Sequence, residues 1–365
     1  MKIFKLLLPF VAFAILAVGC NTANNNITDP EPGPEPGPVA AGVIADFFPF
    51  HENALITFEL LGGWGGPTAF YYTISTEGDK MQRLIIQGDF RVAEVFEISD
   101  GELRVNHAGL MVSGFENLLN IKDEVPMVIL KEPLVLGNSW KTHTGPTIQG
   151  VAGGTSTITA VDVEIEIPNG TASAIEVSTE YENGFMEVNY FAKGLGLVKS
   201  GHFLPGFEVE RDSGILFMEE MNTDMTLISI SENTPLNVEV LVFHPNDEAD
   251  DLDFVQSAAP FMTNGDIRTV LEAVLRNPGS RPNGIISPNT AINFIDVSRE
   301  VSPENPTEEI ATVHLDLTGN FSEDMNVGIS YEQLILAALE KTFLEFYNAE
   351  EFILSVDGLP HVSIH

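Results

Sequence analysis

The sequence predicts an α+β protein: an antiparallel, β-rich half-barrel or sandwich over residues 42–231, then a small β-α-β-β-α-β unit over residues 236–365. Three observations carry that reading. Residues 42–231 alternate apolar and polar side chains in short runs broken by Gly, Asn, Asp and Pro, the period-two pattern of strands with one buried face. Residues 232–235 interrupt the pattern, and apolar residues at helical three- and four-residue spacing follow. Residues 311–358 then read strand, amphipathic helix, strand, a helix layered on a sheet.

The N-terminus opens with Lys2 and Lys5, then an almost wholly apolar stretch over residues 6–18. That stretch is too short for a good bilayer span and right for a signal-peptide core. It ends in Ala17-Val18-Gly19-Cys20, small residues before a cysteine, which resembles the lipobox of bacterial lipoproteins, with Ala17 where leucine is preferred. The resemblance implies cleavage after residues 1–19 and diacylglycerol on the Cys20 sulfur. Lipidated Cys20 is then the membrane contact, on the extracytoplasmic face. Cys20 is the single cysteine, so no intramolecular disulfide can form. Residues 20–41 follow as a tether, whose Pro-Gly-Glu repeats favour an extended, solvated chain.

Within residues 42–231, strands are expected at 54–61, 69–75, 81–87, 91–98, 103–110, 127–130, 156–167, 172–181, 185–192, 196–203 and 225–230. Pro168-Asn169-Gly170 and Asn183-Gly184 are hairpin turns, because Asn and Gly tolerate the left-handed backbone such turns need. Trp140 is expected to plug the core beside a turn, and a sheet filled by its own side chains is expected over one that encloses a ligand.

After the break, Val238, Val240 and Val242 alternate as a strand, and Asp247, Glu248, Asp250, Asp251 and Asp253 form an acidic loop. Ile267, Val270, Leu271, Val274 and Leu275 make a helical stripe that Asn277-Pro278-Gly279 stops. Strands follow at 291–297 and 311–317. Ser330 and Gln333 read as a capping box for a helix burying Tyr331, Leu334, Ile335, Ala338, Leu339, Thr342, Phe343 and Phe346. Phe352, Leu354 and Val356 form the last strand, ended by Asp357-Gly358.

Hydrophobic residues make up 44%, enough for real cores. The 17 Lys and Arg against 53 Asp and Glu give a net charge of −36, which repels nucleic acid and anionic membrane surfaces. None of the eight histidines has a partner at paired-ligand spacing on a helix, and neither a Gly-x-Ser-x-Gly elbow nor a phosphate-binding loop is present. Gly62-Gly63-Trp64-Gly65-Gly66 reads as a mobile turn around Trp64. His314 falls on a polar strand face and reads as a solvated or edge histidine. The acidic loop is the best place for a hard cation such as calcium, but it lacks EF-hand spacing. The expectation is a protein that is not an enzyme, with no catalytic residue, cofactor or metal site.

Two longer resemblances add to this. The pieces "VLEAVLRNPGS", "ISPNTAINFIDV", "ATVHLDLTGNF", "YEQLILAALEKTFLEF" and "FILSVDG", in that order over about the last third of the chain, resemble the GerMN domain of bacterial sporulation and germination proteins. The pieces "FFPFHENALITFE", "ILKEPLVLGNSWKT", "EIPNGTASAIEVSTEY" and "YFAKGLGLVKS" look like a β domain of lipoproteins from spore-forming Firmicutes. Together they imply an anchored envelope protein whose GerMN region assembles with envelope or sporulation proteins. The alternatives are a lipid- or glycan-binding lipoprotein using the β-rich domain, or an accessory to peptidoglycan remodelling.

Overall fold

A computed structural model of the chain describes residues 42–61, 66–110, 115–123, 125–143, 153–168, 170–182, 184–203, 208–211, 214–217, 222–279, 284–301, 309–325 and 329–361. Cys20, the tether, Trp64 and Asn169 lie outside them.

A short helix, α1 (Ile44–Phe47), leads into β1 (Leu55–Leu60), β2 (Thr68–Glu77), β3 (Lys80–Gln87), β4 (Phe90–Ser99), β5 (Glu102–Leu110), β6 (Met127–Lys131) and β7 (Ser139–Lys141). Then come β8 (Gly154–Ile167), β9 (Gly170–Tyr181), β10 (Met186–Ala192), β11 (Gly196–Phe203), the hairpin β12 (Glu208–Arg211) and β13 (Gly214–Phe217), and β14 (Asn222–Ser231). Apart from that hairpin, these strands form one antiparallel twelve-stranded sheet in the order β6-β5-β4-β3-β2-β1-β14-β11-β10-β9-β8-β7. Each of the eleven strands expected from alternation is present. Only the very short β7 and the small β12–β13 hairpin lacked a readable period.

The sheet curls until its two edges nearly meet. Extra residues in β2, β5, β6, β8, β11 and β14 shift the register, and each such bulge bends its strand and adds twist. At the seam, Val128 of β6 donates its N–H to Thr142 O just past β7 (2.9 Å). Its carbonyl accepts from the indole Nε1 of Trp140 in β7 (3.1 Å). Trp140 is buried, as expected, and packs with Phe47, Phe48, Phe96, Leu103, Leu130, Ile158 and Phe191.

The C-terminal region runs β15 (Leu236–Pro245), β16 (Leu252–Phe261), α2 (Ile267–Arg276), β17 (Ile292–Val301), β18 (Glu309–Leu317), α3 (Asn320–Asp324), α4 (Ile329–Tyr347), β19 (Glu351–Val356) and β20 (Leu359–Pro360). Strands β15 and β16 make an antiparallel hairpin, and β17-β18-β19-β20 a second sheet in which β18 and β19 are parallel. This corrects the expected β-α-β-β-α-β order by one strand after β15, a short helix before α4 and the two-residue strand β20 after the expected last strand β19. The missed strand β16 buries Ser257, Ala259 and Phe261 on one face and exposes Phe254 on the other, so its small and inverted residues hide the alternation. The acidic loop is the turn of that hairpin. Asn246 closes it, its side-chain oxygen accepting from Asp250 N (3.1 Å) and its amide donating to Asp250 Oδ1 (2.7 Å).

Helix α2 begins where Asp266 caps it, accepting from Arg268 N, and buries Val270, Leu271, Val274 and Leu275. Gly279 ends the following turn at φ 59°, and a Cβ there would lie 2.7 Å from Val255. Helix α4 buries Ile335, Ala338, Leu339, Thr342, Phe343 and Phe346, as the stripe predicts. Ser330, expected at its cap, lies inside the helix because α4 already includes Ile329.

The two regions are not separately packed. Tyr72, Ile74 and Leu84, on the outer face of β2 and β3, join Leu236, Phe261, Leu271, Leu315 and Phe343 in one continuous core. Tyr72 Oη donates to Phe261 O (3.1 Å), and Asn53 and Thr263 exchange hydrogen bonds at 2.8 Å. The break at residues 232–235 marks a change of architecture within one packed body.

Leu339 is fully buried in this shared core. Leu339→Asp should cost upward of about 3 kcal/mol, through lost apolar burial plus a buried charge. It should melt the whole protein, since both regions depend on that core; an unchanged thermal midpoint would refute the placement of α4.

Candidate functional site

The inner face of the curled sheet lines a partly open cavity of about 250 Å³. Eight-stranded barrels are just filled by their own side chains, so a twelve-stranded curl leaves space. This corrects the expectation of a filled core. The walls come from most of the sheet: Tyr71 on β2, Arg83 on β3, Glu94 and Phe96 on β4, Ser156 on β8, Thr179 and Tyr181 on β9, Glu187, Asn189 and Phe191 on β10, and Ser200 on β11. Phe48, just after α1, closes part of one wall.

Arg83 dominates the site. Its Nε and Nη2 donate to Glu94 Oε2 at 3.0 and 2.6 Å, with both side chains largely buried. The guanidinium lies over the rings of Phe96 (4.5 Å) and Tyr71 (4.6 Å), with Phe48 at 5.7 Å. Removing two charges from water is costly, and the two charge-assisted hydrogen bonds to one carboxylate oxygen and the π faces together offset that cost. Across the lumen, Tyr181 Oη donates to Glu187 Oε2 (2.9 Å), and Asn189 donates to Glu187 Oε1 (3.0 Å). Ser156 and Thr179 hydroxyls bond each other at 2.7 Å. The cavity thus offers aromatic faces beside hydroxyl, amide and carboxylate groups, and each of its charges already has a partner.

None of these residues stood out in the sequence. On β3, Met81, Arg83 and Ile85 share the inner face, while outward Leu84 joins the core shared with the C-terminal region and outward Gln82 bonds Glu116 O and Leu118 N. With both faces buried, alternation cannot mark Arg83 as functional. The available signal was a charged residue on the apolar-parity face of a predicted strand.

Other candidates resolve differently. His314 is half-buried on a central strand, not an edge strand. Its Nε2 meets Ser355 Oγ at 2.8 Å, and its ring stands edge-on to Phe294 (4.8 Å). Ser355 Oγ in turn donates to Asp316, which also accepts from Asn293 Nδ2 and Gly358 N, each at 2.8 Å. Burial opposes ionisation of Asp316, but those hydrogen bonds outweigh it and hold the carboxyl below its usual value. Ser355 is buried and directs its proton to Asp316 rather than to His314, so this chain braces three strands and presents no nucleophile. The acidic turn gathers no ligand set: among the described residues, no three His, Cys, Asp or Glu side chains converge as metal ligands. Among them also, no helix is long and apolar enough to cross a membrane.

Burial is the main cause that pushes the Tyr71 phenol up to about 12; Arg83 opposes the rise and Glu94 adds to it. An unfolded tyrosine ionises near 10. The folded value is higher, so the stabilisation is complete below pH 10 and is lost as the pH climbs from 10 to 12. Denaturation midpoints should fall over that window, and Tyr71→Phe should flatten part of the fall. Superimposable pH profiles for the two proteins would remove Tyr71 as a cause.

No protein-family model and no curated protein matches the chain. Among solved structures, the chain is similar to a Bacteroides fragilis protein assigned as exported and as having a YmcC-like fold. The match has 13% identity and a TM-score of 0.27, and covers 51% of this chain and 99% of the other.

Proposed function

We propose that this is a non-catalytic envelope lipoprotein, tethered through Cys20 on the extracytoplasmic face of the cell membrane, whose curled sheet holds a small neutral ligand of glycan or lipid class. The observation that carries this reading is the lumen around Arg83, Glu94 and Glu187. Pockets of this kind, mostly apolar walls with a few convergent polar groups, are where small molecules bind. Arg83 and Glu94 cancel each other, and Tyr181 and Asn189 satisfy the oxygens of Glu187 without neutralising it, so the lumen keeps a negative charge that turns away anionic ligands. Stacking on Phe48, Phe96 or Tyr71 and hydrogen bonds to Ser156, Thr179 and Ser200 suit a molecule with one apolar face and several hydroxyls. The signal-like N-terminus and Pro-rich tether support the location.

Native mass spectrometry of the full-length protein extracted from membranes tests this. The wild type should carry a bound species of a few hundred daltons beyond its acyl chains, on the scale of small-molecule pockets. Thr179→Phe, which fills the lumen, should lack it. A folded wild type with no such adduct would end the proposal.

A second reading concerns the C-terminal region, whose GerMN resemblance supports assembly with envelope, sporulation or germination proteins. The outward positions of α4, among them Gln333, Glu340, Lys341 and Glu345, are exposed and polar. The outer face of the β17–β20 sheet instead exposes Phe294 and Ile353, and β17 is its edge strand. Apolar groups beside unpaired strand backbone suit a docking partner. The double variant Phe294→Glu, Ile353→Glu should lose crosslinked envelope proteins in living cells while its melting midpoint is kept; retained crosslinks would move the interface elsewhere.

A further inference from the structure

We infer, resting on the lumen as a ligand site, that its occupant is one neutral sugar ring rather than an acyl chain, and that Glu187 and Asn189 read the ring's hydroxyls.

Strand register builds the reading face. Glu187 lies opposite Thr179 of β9, and Asn189 lies opposite Ser200 of β11. Two residues apart on one strand, Glu187 and Asn189 share the inner face. Both are half-buried and line the lumen, so neither is sealed from what enters it. The Ser156 and Thr179 hydroxyls beside them are spent on each other at 2.7 Å. A carboxylate has about four acceptor positions. Among the described residues only Tyr181 Oη and Asn189 Nδ2 donate to Glu187, one to each oxygen. Burial, then the charge of Glu187 itself, pushes the Tyr181 phenol up, so Tyr181 stays a donor and keeps the carboxylate in place. With its nitrogen turned to Glu187, Asn189 leaves Oδ1 as a further acceptor. These adjacent acceptors suit adjacent hydroxyls, and bonds to the carboxylate are charge-assisted.

An acyl chain fits the same surface badly. It would strip water from Glu187 and bring no donor to replace it, which is costly for a carboxylate. The volume points the same way. At about 250 Å³ the lumen falls below the roughly 300–1,000 Å³ of pockets for drug-sized ligands, which suits one ring better than a long chain. Phe48, Phe96 and Phe191 close the floor on the α1 side and are buried. Met127 of β6 and Met225 of β14 are half-buried and offer apolar surface to the C–H face of a ring. Arg83 is the one cationic side chain among the described lining residues, and Glu94 holds it. The net negative charge left by Glu187 disfavours an acidic sugar.

The test begins with the species carried by the full-length protein from membranes. Released by denaturation, which leaves the acyl chains on Cys20, it should yield a neutral monosaccharide on acid hydrolysis. Saturation-transfer NMR on the full-length protein then uses the methyl glycosides of glucose, galactose, mannose and N-acetylglucosamine, with methyl glucuronide as the anionic counterpart. At least one neutral glycoside should bind, and the glucuronide should not. Glu187→Gln keeps the shape and should weaken that glycoside at least tenfold. Asn189→Ala should do the same, and decides the matter if Glu187→Gln does not fold. A released acyl lipid would overturn the sugar assignment and leave the lumen standing as a ligand site, whereas no released species would end both. Failure of all four neutral glycosides to bind, binding of the glucuronide as tight as theirs, or undiminished binding in the folded variants would also overturn it.

Discussion

Two hydrogen bonds at Val128 decide whether this protein has an interior. Its N–H and its carbonyl are both spent across the gap between the sheet's outermost strands, one on Thr142 and the other on the Trp140 indole. Without them, β6 and β7 would be bare edges, with unpaired backbone groups open to solvent and to other chains. Strand β7 is only three residues long, too short to hold the seam by a ladder of its own, so a side chain completes it. Trp140 suits the task because its ring buries in the apolar cluster while its one polar atom reaches the neighbouring carbonyl. Bulges in six strands supply the curvature that brings the edges within reach.

Closure has a second consequence, which is that polar groups on the inner face lose bulk water. Arg83 and Glu94 must then satisfy each other, and the rings of Tyr71 and Phe96 take the place of solvent on the guanidinium. Such a pair adds little net stability compared with a well-packed apolar pair, because desolvation consumes much of the attraction. Its worth lies in fixing one arrangement of the lumen. Stability comes instead from outside the curl, where Tyr72, Ile74 and Leu84 turn their backs on the lumen and share a core with α2, α4 and the strands of the C-terminal region. The lumen side of β2 and β3 is free to be polar because the other side is so thoroughly apolar.

That division explains what the sequence disclosed. Strands such as β9 and β18 announced themselves because one face is small or polar and the other apolar. Helices α2 and α4 did so through stripes that the core takes up almost residue for residue. Strand β16 stayed hidden behind Ser257, Ala258 and Ala259, whose size carries no sign of inside or outside. The lumen stayed hidden for a different reason: Arg83 and Gln82 are adjacent polar residues on opposite buried faces, and only the three-dimensional pairing separates a wall of a cavity from a seam between regions. The expected break at residues 232–235 was legible as a change of period, but period says nothing about whether two regions share a core.

The same limit applies most strongly to the acids. With 53 Asp and Glu in the chain, no carboxylate can be singled out by spacing. Burial and partners do single them out. Asp316 is nearly inaccessible and receives three hydrogen bonds, so its charge is accounted for within the fold and its work is to tie β17, β18 and β19 together. Arg83 cancels Glu94, while Tyr181 and Asn189 satisfy the oxygens of Glu187 and leave its charge in the lumen. The oxygens of Glu116 are likewise withdrawn from water, with Arg299 Nη2 3.8 Å away as the ionic partner.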